Sequence, residues 1–174
     1  MTRRLRLLVL AVLLAAVWML PPVDQAIAQS MRPRFGLGFN TTLTTAEGVL
    51  GLGVRGRASA PVNSNLSFAV DLGLTGFVLS GRDDATYVFD PQVSAIVTLD
   101  PRQPRTPYII GGVGAYVPFG DDADTDDGGP TLHGGFGWVQ TLENTTLFYE
   151  VNPALIIGET AVDLVLPFRI GIIF

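Results

Sequence analysis

Alternation constrains this chain more than any other feature. From residue 33 onward, apolar and polar residues take turns over long segments, and no stretch holds a helical period. The alternating runs predict strands at 33–42, 48–60, 65–79, 86–99, 106–119, 130–142, 146–158 and 161–174. The breaks between them carry turn residues: Thr44 to Gly48, Pro61 to Asn65, Ser80 to Asp84, Asp100 to Pro104, Gly120 to Pro130, Glu143 to Thr145, and Gly158 to Thr160.

Parity sorts each strand into two faces. In the second, Leu50, Leu52, Val54 and Ala58 oppose Arg55, Arg57 and Ser59. In the third, Leu66, Phe68, Val70, Leu72, Leu74 and Val78 oppose Ser67, Asp71, Gly73 and Thr75. In the fourth, Tyr87, Phe89, Val93, Ala95 and Val97 oppose Asp90, Gln92, Ser94 and Thr98. In the last, Leu164, Leu166, Phe168, Ile170, Ile172 and Phe174 oppose Asp163, Arg169 and Gly171.

Length decides which medium each face meets. Strands of soluble proteins cluster near five or six residues. These are about twice that, long enough to cross a bilayer at a tilt. The chain is 48% hydrophobic and only 16% charged, against about a quarter charged in ordinary soluble domains. Beyond the N-terminus it has no apolar run of the length a spanning helix needs. An open sheet edge cannot survive in hydrocarbon, so eight such strands must close into a barrel. The expected fold is all-β: an eight-stranded antiparallel up-and-down transmembrane barrel, apolar face outward.

The polar face then fills the interior, since an eight-stranded barrel has room inside for side chains only. Buried arginines need partners. Arg55, Arg57 and Arg169 share inward parity with Asp71, Asp90 and Glu150, which predicts an ion-pair network in the lumen. Pro91, Pro153 and Pro167 fall within predicted strands, where each deletes a ladder donor, and are expected to mark bulges or strand ends.

Residues 1–28 read as an export signal. Arg3, Arg4 and Arg6 precede the apolar run Leu7 to Leu20, and Ala26-Ile27-Ala28 supplies a small-x-small cleavage pattern. Cleavage after Ala28 would leave residues 29–174 as the barrel domain. It would remove three arginines and Asp24, taking the net charge from −5 to −7. All 11 basic residues are arginine, and apart from Arg3, Arg4 and Arg6 of the export segment nothing resembles the clustered positive charge of a nucleic-acid footprint. The absence of cysteine excludes disulfides, thiolate metal sites and thiol nucleophiles.

The chain ends Phe168-Arg169-Ile170-Gly171-Ile172-Ile173-Phe174, with apolar residues at alternate positions before a terminal aromatic. This resembles the terminal signal of bacterial outer-membrane barrels. Thr106 to Tyr116, Gly135-Phe136-Gly137-Trp138 and Leu147-Phe148-Tyr149-Glu150 are also similar to strands of the small outer-membrane β-barrel family, the OmpA-, OmpX- and OmpW-type barrels. The resemblance implies location in the cell outer membrane after export. It also implies contact with outer-membrane lipid, and an assembly signal at Phe168, Ile170, Ile172 and Phe174 read by the barrel insertion machinery. With the N-terminus in the periplasm, the turns near 61–64, 100–105 and 143–145 face the periplasm. The loops at 43–47, 80–85, 120–130 and 158–160 then face outside.

Other chemistry is sparse. Asp122, Asp124 and Asp126 have the spacing of hard oxygen ligands, but the EF-hand glycine and glutamate are replaced by Asp127 and His133, and no metal is expected. His133 is the only histidine, and the lipid A deacylase barrels carry a Ser two residues after theirs, where this chain has Gly135. His133 is expected at the rim or in the lumen. Tyr87, Tyr108, Tyr116, Trp138, Tyr149 and Phe174 are candidates for interfacial aromatic girdles, about half of them belonging there. No catalysis, cofactor or identifiable ligand is expected. The leading role is structural, adhesive or envelope-stabilising. The alternatives are a narrow channel for small solutes or ions, a lipid-modifying enzyme and a secreted lipocalin-like binder.

Overall fold

The computed structural model describes residues 32–45, 49–77, 86–100, 105–120, 128–143, 145–158 and 161–174. The export segment 1–28, the candidate ligands Asp122, Asp124 and Asp126, and parts of several loops lie outside these residues.

The described residues contain strands and no helix. They are β1 (Arg34–Thr44), β2 (Leu50–Pro61), β3 (Leu66–Phe77), β4 (Thr86–Thr98), β5 (Arg105–Gly120), β6 (Gly129–Thr141), β7 (Thr146–Val151), β8 (Ala154–Ile157) and β9 (Val162–Ile173). Each pairs antiparallel with its neighbours, and β1 pairs with β9, so the sheet closes on itself. Both β7 and β8 pair with β6 on one side and β9 on the other, so they are two halves of one stave in an eight-stave barrel.

The register fixes the barrel's shape. Following paired residues around the sheet, Arg34 leads to Ser59, Ala69, Ser94, Gly112, His133, Ala154 and Val165. Val165 pairs with Thr44, ten residues further along the strand that the circuit began on. Such a stagger across eight strands tilts them by roughly 40° to the barrel axis.

The prolines disturb this register less than expected. Pro91 and Pro167 sit inside β4 and β9, paired with Leu72 and Thr42. The ladder from β4 to β5 pauses between Phe89–Val117 and Gln92–Gly114, then resumes in the same register, so no residue bulges. Pro153 does end a segment, separating β7 from β8. Its carbonyl still accepts from Gly134 N at 3.0 Å, and Asn152 N donates to Pro167 O at 3.2 Å. The backbone bonds around the missing donors survive, so the stave continues across the break.

Burial follows parity around the whole barrel. Outward residues are apolar and uncovered: Phe39 is 70% exposed, Leu72 54% and Phe168 51%. Inward residues are mostly small or polar, with Phe77, Val88, Ile110 and Phe148 as larger apolar exceptions. Among them Asn40, Arg55, Arg57, Asp71, Gln92, Glu150 and Arg169 are buried. A few apolar side chains, Ala154, Ile156 and Val165 with Tyr116 against them, fill the lumen toward the end away from the termini.

Candidate functional site

The six charged residues expected in the lumen all point into it and meet there. They rise from β2, β3, β4, β7 and β9, staves that closure sets facing one another. Glu150 is the hub. Its carboxylate accepts two hydrogen bonds from Arg57, at 2.9 and 3.2 Å, and one from Arg169 Nη1 at 2.7 Å. Arg57 Nε donates to Asp71 Oδ1 at 2.8 Å, and Arg55 Nη1 lies 3.9 Å from that oxygen. Arg55 Nη2 also pairs with Asp90. Three cations thus meet three anions, and the cluster is neutral.

Neutrality is what makes the cluster tolerable. Taking an ion from water to a low-dielectric interior costs several kcal/mol after relaxation, and attraction repays it only with good geometry and extra hydrogen bonds. The fork of Arg57 on Glu150 is of the bidentate kind that combines strength with direction. Asp71 and Glu150 are 0% and 2% exposed, so water does little of the screening.

Neutral side chains complete the network, and parity alone did not name them as members. Tyr108 Oη donates to Glu150 Oε2 at 2.9 Å. Arg169 Nη2 donates to Gln92 Oε1 at 3.1 Å. The Arg57 guanidinium lies over the Phe148 ring, 5.1 Å from its centroid. Phe148 in turn rests against backbone: a Cβ on Gly171 would come within 2.6 Å of its Cζ, so only glycine lets the ring lie there. Gly73 plays the same part under Arg55, whose Nη2 would lie 2.6 Å from an added Cβ. Gln92 shares the inward face of β4 with Asp90, which marked it as lumenal. Tyr108 gave no such sign, because a tyrosine in a strand serves equally in a girdle.

The aromatic candidates divide by parity. Tyr108 and Tyr116 belong to the inward set of β5, so neither is a girdle residue. Tyr87 is outward and stacks on its register partner Phe119, with centroids 5.8 Å apart. Trp138 is outward near the opposite end and meets Phe136 edge to face at 5.4 Å. Phe174 is outward and 65% exposed. Phe35 and Phe174 exchange backbone hydrogen bonds at 3.2 and 2.8 Å, which seals the seam between the first and last strands. Phe168, Ile170 and Ile172 line the same outward face of β9.

His133 lies in the lumen, with Ser94 Oγ 3.0 Å from its Nε2. Both residues are buried, and His133 Nδ1 has no hydrogen-bond partner. A hydrolytic triad requires an acid orienting that nitrogen and a nucleophile open to substrate. Neither condition is met. A second polar group, Asn40 Nδ2 donating to Thr75 Oγ1 at 2.8 Å and Thr42 Oγ1 at 3.2 Å, caps the charges on the side away from the termini. The cavity beyond them is only about 20 Å³, lined by Thr42, Thr75, Asp90, Gln92 and Thr131 among others. That is room for about one water molecule. Among the described residues no cluster of His, Cys, Asp or Glu could hold a metal ion.

A closed eight-stave barrel, apolar outside and charged within, can be compared with solved structures. Neisserial surface protein A matches with a TM-score of 0.66 at 16% identity, over 83% of this chain and 96% of that one. The chain has the fold of the small outer-membrane β-barrels. The Yersinia pestis attachment invasion locus protein, Ail, matches with a TM-score of 0.53 at 9% identity, over 82% of this chain and 97% of that one. The N-terminal β-barrel domain of Pseudomonas aeruginosa OprF gives 0.51 at 10% identity, over 81% and 97%. No protein-family model matches the chain, and no curated protein matches it in sequence.

Proposed function

We propose that this chain is an integral outer-membrane protein without catalytic activity, exported and inserted as a filled barrel, with a structural, adhesive or envelope-stabilising role. One observation carries the reading: the same strands present an uncovered apolar wall outward and a paired, hydrogen-bonded charge cluster inward. Uncovered side chains on this scale belong in hydrocarbon. The alternative of a soluble lipocalin-like binder needs the opposite orientation, with the apolar face around a ligand. The charge cluster spans the lumen and argues against a conducting pore. That one neighbour in fold is named for attachment suits the adhesive form of the proposal.

The termini share one end of the barrel with the connections 62–65, 99–104 and 142–145, while the two longest connections, 78–85 and 121–128, lie at the other end, which supports reading the first end as periplasmic. Phe168, Ile170, Ile172 and Phe174, together on the lipid-facing side of the closing strand, suit the role of an assembly signal for the insertion machinery.

Fractionation of cells expressing the full chain tests the reading. The protein is expected in the outer-membrane fraction, with unboiled and boiled samples migrating differently on a gel. Planar bilayers are expected to show no steady single-channel conductance. A chain that stays monomeric in water without detergent overturns the proposal, and steady conductance replaces the filled barrel with the channel.

A further inference from the structure

At the periplasmic end, the outward faces of β5, β6 and β7 change character over three register steps. Ile109 opposite Phe136 comes first, both apolar and about half exposed. Pro107 opposite Trp138 comes next, with Tyr149 opposite Trp138 on its other side. Arg105 opposite Gln140 lies at the rim. The Arg105 guanidinium lies over the Trp138 indole, 6.0 Å from its centroid, while Arg105 itself is exposed. The patch thus runs from aliphatic through amphipathic to cationic along the barrel wall.

Each step suits a known depth in a bilayer. Trp and Tyr sit at the headgroup level with the ring in the apolar region and the polar atom in the wet one. A guanidinium resting on an indole is held flat, and its free N–H groups form a fork that matches two oxygens of a phosphate. Gln140 adds an amide donor beside it. The acidic side chains at this end among the described residues, Asp100 and Glu143, belong to the turns that follow β4 and β6, outside the three-step ladder.

We propose that Arg105, Trp138, Tyr149 and Gln140 form a binding site for the phosphate of an anionic phospholipid headgroup in the periplasmic leaflet. The site rests on the membrane-embedded reading above, and it adds a preference for one lipid charge at one place on the wall.

The test uses the full chain carrying Trp18→Phe, which leaves Trp138 as the only tryptophan. The protein is folded into phosphatidylcholine bilayers containing a minor share of phosphatidylglycerol, with bromine quenchers on the chains of one lipid or the other. Brominated phosphatidylglycerol is expected to quench Trp138 as though enriched about fivefold over its share of the bilayer, the factor that one basic side chain near an anionic surface supplies. Arg105→Gln is expected to abolish that enrichment. Arg34→Gln removes a charge at the same rim on the inward parity and is expected to preserve it. Equal quenching by the two lipids in a barrel shown folded by its gel shift overturns the site alone. So does a loss of preference in Arg34→Gln as large as in Arg105→Gln. A chain that never folds into the bilayer overturns both this site and the membrane reading.

Discussion

The lumen and the outer wall of this barrel are built from the same strands, yet they are stabilised in opposite ways. On the wall, side chains such as Phe39, Leu72 and Phe168 have no specific partner, and any apolar group of similar size serves in hydrocarbon. In the lumen, Glu150 answers two arginines and a tyrosine at once, and an uncharged replacement would leave a buried arginine unpaired. The wall tolerates chemical variation within one class; the lumen depends on particular residues. A one-residue slip in register would exchange the two sets, so the contrast also holds the register in place.

The contrast can be broken most severely at its hub. Glu150→Ala leaves Arg57 and Arg169 buried with one anion fewer and is expected to cost about 3–5 kcal/mol. Urea unfolding of the protein in lipid vesicles, followed by gel mobility, measures it. A loss below about 1 kcal/mol would mean that water reaches the cluster and screens it. Next in size is a charge on the opposite face. Leu72→Arg, midway along β3 and pointing to lipid, is expected to cost about 2–4 kcal/mol in the same assay. If it is neutral while Glu150→Ala is not, the apolar wall does not face hydrocarbon.

Tyr108→Phe sharpens the comparison, because it removes one hydroxyl from the lumen and changes nothing on the wall. It loses a hydrogen bond to a charged acceptor, worth about 1.5–3 kcal/mol. Tyr87→Phe, in the outer stacked pair, is expected to fall within about 0.5 kcal/mol of the parent protein. Smallest of the lumenal changes is Ser94→Ala, which leaves His133 Nε2 without its partner. An expected loss of about 1 kcal/mol, with no change in fractionation or gel shift, separates a packing role for this pair from a functional one.

Much of this architecture was legible in the residues. Parity along β2, β3, β4 and β9 separated Arg55, Arg57, Asp71, Asp90 and Arg169 from the apolar set, and the structure places all of them inside with Glu150. The prolines were half legible: Pro153 marks a strand end as expected, whereas Pro91 and Pro167 stay within their strands without a bulge. Pro153 interrupts a stave, but Gly134 and Asn152 keep their backbone bonds on either side of it and the register passes through unchanged. Tyr108 was ambiguous because its ring suits a girdle as well as a lumen. Only its place in β5 relative to Glu150 resolves that.

By itself the sequence determined which residues share a face, since a strand's side chains alternate with a period of two and that period is written locally. It could not determine who meets whom. Arg57 and Glu150 are 93 positions apart and touch because eight strands close with a ten-residue stagger, which brings β2 and β7 across a lumen only side chains can fill. Pairing of that kind depends on the curvature and closure of the whole sheet, and those belong to the folded barrel and to no segment of it.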